Sequence, residues 1–154
     1  METDQEHVNA KVSRLLLGMF FVIAGVLHFA FTPDYMKIMP PWLPWHWGLV
    51  LVSGVCEIAG GVGVLWHLTR RWAGYGLIAL CLAVLPANVQ MLLDAQVAGA
   101  SAIWLAMLWL RLPLQFLLIG WIWRATRRRV VETKMDPALD VAPVRRESPS
   151  RFSR

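Results

Sequence analysis

The chain has 154 residues, of which 57% are hydrophobic and only 16% are charged, and its formal net charge is +5. A soluble domain typically has about 45–50% apolar and roughly 25% charged residues. The composition therefore excludes a disordered chain, a basic nucleic-acid-binding domain and a disulfide scaffold. It indicates an integral membrane protein with one folded domain.

Four apolar stretches reach the ~17–25 residues that a membrane-spanning helix needs. They cover about residues 15–31, 47–66, 72–93 and 101–123. Each is predicted to be helical, because a backbone in lipid must satisfy its own hydrogen bonds. The predicted fold class is all-α, an integral membrane antiparallel four-helix bundle. We divide the chain into a polar N-terminal segment, this bundle, and a basic tail expected to be disordered because it has few apolar residues: 1–13, 14–125 and 126–154.

The Lys and Arg residues predict the orientation of the spans. Thirteen of the 15 lie at or before the start of span one, in the connection between spans two and three, or after the end of span four. Lys37 lies on the opposite side, and Arg111 lies within span four. Because basic residues are retained in the cytoplasm, both termini are predicted to be cytoplasmic. The arginines of the tail act either as this topology signal or as contacts to the lipid bilayer, through anionic headgroups.

The connection between spans one and two, residues 32–46, is rich in proline and also carries two tryptophans, one tyrosine and one histidine. Its prolines predict that it forms no regular helix. The part around Trp42 is expected to lie in the membrane interface at the outer mouth of the bundle. Two interpretations remain open, an anchoring loop and a lid over a site.

Each span contributes polar side chains to the outer half of the bundle. Glu57 lies in the middle of span two, and Arg111 lies at nearly the same depth in span four. We expect His28 in span one and Asn88 in span three about two turns closer to the outer surface. Gln115 lies at i+4 from Arg111 and so shares its face. Ionisable groups in a span cost about 2.5–3.5 kcal/mol each and normally pair inside the bundle.

Two hypotheses for this polar cluster remain open. In the structural one, Glu57 and Arg111 form a buried ion pair that fixes which helices pack together. In the functional one, Glu57, Arg111 and His28 bind a polar headgroup or relay protons. The candidate ligand contacts of this site are Asn88, Gln115, Trp109 and Trp42. No metal site is predicted, because no pair of histidines has helical spacing toward one centre.

Short motifs in the same order resemble the DoxX family, in the DoxX-like/MauE-like superfamily of small four-helix membrane proteins. They are Gly25-Val-Leu-His28-Phe29, Pro33-Asp-Tyr35, Met39-Pro-Pro-Trp-Leu-Pro44, Ser53-Gly54-Val-Cys-Glu57-Ile-Ala-Gly60-Gly61, Pro86-Ala87-Asn88 and Leu110-Arg111-Leu-Pro113-Leu-Gln115. The resemblance covers about residues 12–125. It implies a bacterial inner-membrane location, and relatives that resemble a quinone-interacting subunit of an oxidoreductase or partners of redox enzymes. Its shared polar positions fall on the same cluster: His28, Glu57, Asn88, Arg111 and Gln115.

The leading functional hypothesis is a membrane protein that supports a redox system by binding a quinone-like molecule. Glu57 would accept a proton, with Arg111 as its charge partner and His28 and Asn88 as hydrogen-bond donors. A redox enzyme subunit or another membrane protein would have to exchange the electrons, because no residue here carries them. The alternatives are a non-enzymatic scaffold or assembly factor and, more weakly, a small-solute or proton transporter. A homodimer could form through the glycines of residues 60–63.

Overall fold

The computed structural model describes residues 2–127, with side chains from residue 5 onward. This part of the chain forms five helices and no strand. They are α1 (Glu2–Ala30), α2 (Thr32–Lys37), α3 (His46–Leu65), α4 (Arg70–Val97) and α5 (Ala102–Thr126). Nearly all of the predicted basic tail, from residue 128 onward, lies outside the described residues.

Four of these helices are long and apolar enough to cross a membrane, which confirms the predicted all-α fold class. Their hydrophobic side chains are widely exposed, Ile103 and Leu117 by 77% and 68%, as expected for surfaces that face lipid. The main difference from the predicted spans is at α1, which begins at Glu2 rather than near residue 15. With 29 residues it is roughly 44 Å long and exceeds the ~30 Å hydrocarbon core.

The connection between α1 and α3 contains the six-residue helix α2. The prediction that its prolines exclude a regular helix is therefore wrong for the first half of this connection. Pro33 lies in the first turn of α2, where a helix does not need the N–H that proline lacks. Lys37 at the end of α2 bonds Asp34 at 2.7 Å. The remaining prolines lie in the irregular segment that follows, residues 38–45.

Helices α1 and α3 pack closely because glycines face each other at two levels. A Cβ atom built on Gly25 would lie 2.6 Å from the carbonyl oxygen of Gly54. One built on Gly61 would lie 2.7 Å from the carbonyl oxygen of Gly18. Small residues allow such close backbone approach in membrane helices. The two glycine contacts fix the register of α1 against α3.

The glycines of residues 60–63 lie against neighbouring helices within the bundle. Gly60 lies against Leu77, and Gly63 lies against Ala73, so both serve the contact of α3 with α4. Gly61 serves the contact with α1. The close-packing surface considered for a homodimer is therefore already occupied within one chain.

The bundle is packed at one end and hollow at the other. A core cluster fills the end near the α3–α4 connection, and its members are Leu17, Phe21, Val64, Leu77, Cys81 and Ile122. We call the other end, which carries α2 and residues 38–45, the α2 end. Polar residues from all four long helices lie toward the α2 end, where the core cluster does not extend.

Candidate functional site

A cavity of about 930 Å³ occupies the α2 end of the bundle. This volume lies within the range of ~300–1,000 Å³ that is usual for small-molecule sites. Its wall is mainly apolar and includes residues of all five helices. Phe21 and Cys81 belong both to the core cluster and to the cavity wall, and so they form its floor.

Five of the seven site residues predicted from the sequence line this cavity: His28, Glu57, Asn88, Arg111 and Gln115. The structure does not bring Trp42 or Trp109 to it. Their side chains are 61% and 56% exposed, and neither residue belongs to the wall. Trp109 lies two positions from Arg111, and residues two apart on a helix do not share a face.

His28 and Glu57 make the closest contact between a basic and an acidic side chain in the cavity. Nδ1 of His28 lies 3.4 Å from Oε2 of Glu57, and the two side chains are only 14% and 16% exposed. The same Nδ1 lies 3.0 Å from the carbonyl oxygen of Ala24, which can only accept a hydrogen bond. Nδ1 therefore carries a hydrogen and donates it along its own helix.

This contact is not expected from the sequence, which places His28 about two turns closer to the outer surface than Glu57. In a helix, side chains lean toward the N-terminus. Because α1 and α3 are antiparallel, His28 leans away from the α2 end while Glu57 leans toward it. The glycine contact between Gly25 and Gly54 lies between them and brings the helices close enough for the two side chains to meet.

Tyr35, a residue of α2, covers His28 from the α2 end. The two rings are stacked, with centroids 4.1 Å apart and planes inclined by 24°. Thr32 donates a hydrogen bond to the carbonyl oxygen of His28 at 2.6 Å, which ties the start of α2 to the end of α1. Burial raises the pKa of Tyr35, and the Glu57 carboxylate raises it further, while the Arg111 guanidinium lowers it. The phenol is therefore neutral at physiological pH.

Asn88 and Gln115 are hydrogen-bonded to each other and so join α4 to α5. The Asn88 amide donates to the side-chain oxygen of Gln115 at 2.7 Å. The Gln115 amide donates to the backbone carbonyl of Cys81. Pro86 has no N–H, so the carbonyl oxygen of Leu82, four residues earlier in α4, lacks its usual helical donor. The Gln115 amide instead donates to the carbonyl oxygen one residue earlier, that of Cys81.

Glu57 and Arg111 do not form the ion pair of the structural hypothesis. Within residues 5–127, the only basic group within 4 Å of the Glu57 carboxylate is the His28 ring, and Arg111 makes neither an ion pair nor a hydrogen bond. Oε2 of Glu57 is buried and lacks a hydrogen-bond partner in the same part of the chain. The cavity thus contains a carboxylate and a guanidinium whose hydrogen-bonding capacity is largely unused.

Sequence reasoning missed the role of Tyr35, which appeared only within a motif. The available signal was its position two residues after Pro33, which is suited to the first turn of a helix. The cysteines Cys56 and Cys81 are both free thiols. Among the described residues, no group of three or more His, Cys, Asp or Glu side chains is arranged to hold a metal ion.

A family model described as Domain of unknown function (DUF8561) matches residues 17–126. The match includes the second half of α1, all of the other helices and every cavity residue named above. No curated protein and no solved structure matches the chain. These comparisons do not test the resemblance to the DoxX family, which stays a prediction.

Proposed function

Because the chain belongs to the family Domain of unknown function (DUF8561), whose description assigns no activity, we propose a function from the cavity itself. The cavity binds the polar headgroup of a quinone-like molecule, and the protein supports a membrane redox system by holding that molecule. The DoxX resemblance points in the same direction and remains part of the proposal, as does a location in a bacterial inner membrane.

One observation supports this proposal above the others. Glu57 has a buried carboxylate oxygen without a hydrogen-bond donor, and Arg111 has no acceptor, yet both line the same cavity. Buried polar groups in proteins are nearly always hydrogen-bonded, so such an unpaired atom needs an explanation. A ligand with one donor and one acceptor on its headgroup would satisfy both groups together.

A quinone-like ring has the chemistry that this arrangement can recognise. The hydroxyl of its reduced form would donate to the Glu57 carboxylate, and an oxygen elsewhere on the ring would accept from Arg111. The stacked rings of His28 and Tyr35 offer a flat aromatic surface beside the carboxylate. Apolar side chains form most of the remaining wall and suit an uncharged ring.

The roles of the five polar residues then divide into two groups. Glu57 accepts a hydrogen bond from the headgroup hydroxyl and takes up one of the two protons that oxidation to the quinone releases, while Arg111 donates to another oxygen of the headgroup. The second proton leaves with the two electrons. Asn88 and Gln115 already bond each other and hold α4 against α5. His28 positions Glu57. The electrons must pass to a partner protein of the membrane redox system, because no residue of the chain carries them.

The direct test is to purify the protein in mild detergent and to measure quinone in its organic extract. The proposal predicts quinone in stoichiometric amount in the wild type and none in Glu57→Gln. Asp94→Asn is the matched control, because Asp94 is an exposed carboxylate near the end of α4 and does not line the cavity. It should retain the ligand. Equal quinone content in the wild type and Glu57→Gln would contradict the assignment, and a clean wild type would favour the scaffold alternative.

A further inference from the structure

The cavity is open on one side, between α1 and α5. The pairs α1–α3, α3–α4 and α4–α5 pack along much of their length, whereas α1 and α5 touch over a short stretch only. That stretch lies at the packed end of the bundle. There, Trp121 donates a hydrogen bond to the hydroxyl of Ser13 at 2.8 Å, and Leu17 packs in one cluster with Ile122.

Side chains on both sides of this gap line the cavity and are also exposed on the bundle surface. They are Phe20 of α1, 47% exposed, and Leu114 and Leu117 of α5, 50% and 68% exposed. Because these side chains flank the gap between α1 and α5 and belong both to the cavity wall and to the outer surface, they mark a mouth of the cavity there. We call these three residues the portal. All three are apolar and belong to membrane-spanning helices, so the portal faces the lipid rather than water.

The α2 end, by contrast, is covered. Tyr35 stacks on His28, and the side chains of Met39 and Leu43 form part of the cavity wall there. Pro40 is almost completely buried, and its carbonyl oxygen lies 2.9 Å from Nε2 of His46 at the start of α3. This bond fixes the irregular segment over the bundle. A molecule arriving from the aqueous side would meet this cover.

We infer that the ligand of the cavity is an amphiphile dissolved in the bilayer, which enters sideways through the portal. Its polar headgroup reaches Glu57 and Arg111, and its apolar chain stays in the gap between Phe20 and Leu117. This inference rests on the proposed function and specifies its ligand class, since it requires an apolar chain attached to the headgroup. The three apolar portal residues suit a hydrocarbon chain, Glu57 lies further inside, and the exposed Arg111 lies beside the portal, one turn from Leu114.

The test uses two probes with the same ring, a benzohydroquinone that carries a decyl chain and the same hydroquinone without it, both kept reduced so that a hydroxyl is present to donate to Glu57. Their association rates are followed by quenching of tryptophan fluorescence, since Trp121 lines the cavity. Leu117→Trp narrows the portal. Phe116→Trp is the matched control, because Phe116 is the neighbouring residue, is 57% exposed and is not part of the cavity wall.

We expect Leu117→Trp to slow association of the decyl probe by about tenfold, and Phe116→Trp to leave the rate unchanged. The chainless probe enters through the same portal but leaves no chain in it, so it should be slowed less than the decyl probe in Leu117→Trp and not at all in Phe116→Trp. If Leu117→Trp takes up the decyl probe as fast as the wild type, the portal is wrong although the cavity still binds a headgroup. A wild type that binds neither probe overturns the proposed function and the portal with it.

Leu117→Ala gives a second measurement that does not depend on fitting a larger side chain. It widens the portal, so we expect the decyl probe to dissociate about three times faster, with a smaller change for the chainless probe. An unchanged dissociation rate for the decyl probe would contradict the portal.

Discussion

Nδ1 of His28 lies 3.4 Å from Oε2 of Glu57, across the glycine-lined contact between α1 and α3. The two residues meet because side chains on antiparallel helices lean toward each other when each leans toward its own N-terminus. The contact leaves the second half of the cavity, where Arg111 lies, without a carboxylate partner. This asymmetry underlies the proposed binding of a headgroup between Glu57 and Arg111.

The close contact of α1 and α3 should depend on Gly25. In Gly25→Ala the new methyl group would overlap the Gly54 carbonyl, and the helices would have to separate. We expect a loss of about 1–3 kcal/mol in the free energy of unfolding, typical of an overpacked contact. Gly76→Ala is the control, since nothing lies within 4 Å of the added atom. Thermal unfolding in detergent measures both, and equal stability of the two variants would contradict the glycine contact.

Asn88 and Gln115 should behave as a coupled pair. Asn88→Leu and Gln115→Leu each remove one side of the hydrogen bond that joins α4 to α5. Hydrogen bonds between membrane helices contribute about 0.6 kcal/mol on average and up to about 1.7 kcal/mol. We expect the double variant to be more stable than the sum of the two losses predicts. A double-mutant cycle in the unfolding free energy measures this coupling, and strict additivity would contradict a direct bond.

Tyr35 should report the charges of the cavity through its titration. The chain has two tyrosines, so Tyr75→Phe leaves Tyr35 as the single phenol that ionises. The Glu57 carboxylate raises the pKa of Tyr35 and the Arg111 guanidinium lowers it. In this background we therefore expect Glu57→Gln to lower the pKa of Tyr35 and Arg111→Gln to raise it. Absorbance of the phenolate against pH measures both shifts, and shifts of the opposite sign would contradict the geometry.

Much of the fold follows from hydropathy alone, because a backbone in lipid has few alternatives to a helix. The rule that polar groups in a membrane face the bundle interior also predicts that His28, Glu57, Asn88, Arg111 and Gln115 share a space. Which of them pair could not be predicted. Which of these side chains contact each other depends on the direction in which each side chain leans and on the rotation of each helix about its axis. Because α5 is apolar on nearly all sides, its sequence does not define which of its faces points to the cavity.

Helix α2 is a second feature that could not be predicted from the sequence. The prolines predict that no part of the connection between α1 and α3 is helical. The effect of a proline depends on its position, however, and Pro33 lies in the first turn of α2, where a helix tolerates proline. The placement of Tyr35 over His28 follows from this local detail. Trp42 and Trp109 were singled out by residue type, and neither lies at the cavity.

Replacing Glu57 and replacing Arg111 should have independent effects on the free energy of unfolding. Breaking a buried ion pair typically costs about 3–5 kcal/mol, and removing both partners recovers part of that loss. Since the structure shows no such pair, we expect the effects of Glu57→Gln and Arg111→Gln to add without recovery in the double variant. Unfolding free energies of the three variants measure this. A double variant clearly more stable than either single one would support the structural ion pair and the scaffold alternative.

The most direct measurement is the unfolding temperature of the wild type and Glu57→Gln, with and without the decyl hydroquinone. A ligand that binds only the folded state raises its stability, by about 2.7 kcal/mol at a hundred times the dissociation constant. We predict that ligand-free Glu57→Gln unfolds at the wild-type temperature or above, since the buried Oε2 atom of Glu57 accepts no hydrogen bond. We also predict that the hydroquinone raises only the wild-type temperature. Equal protection of both proteins, or a Glu57→Gln variant that is destabilised without ligand, would contradict the account.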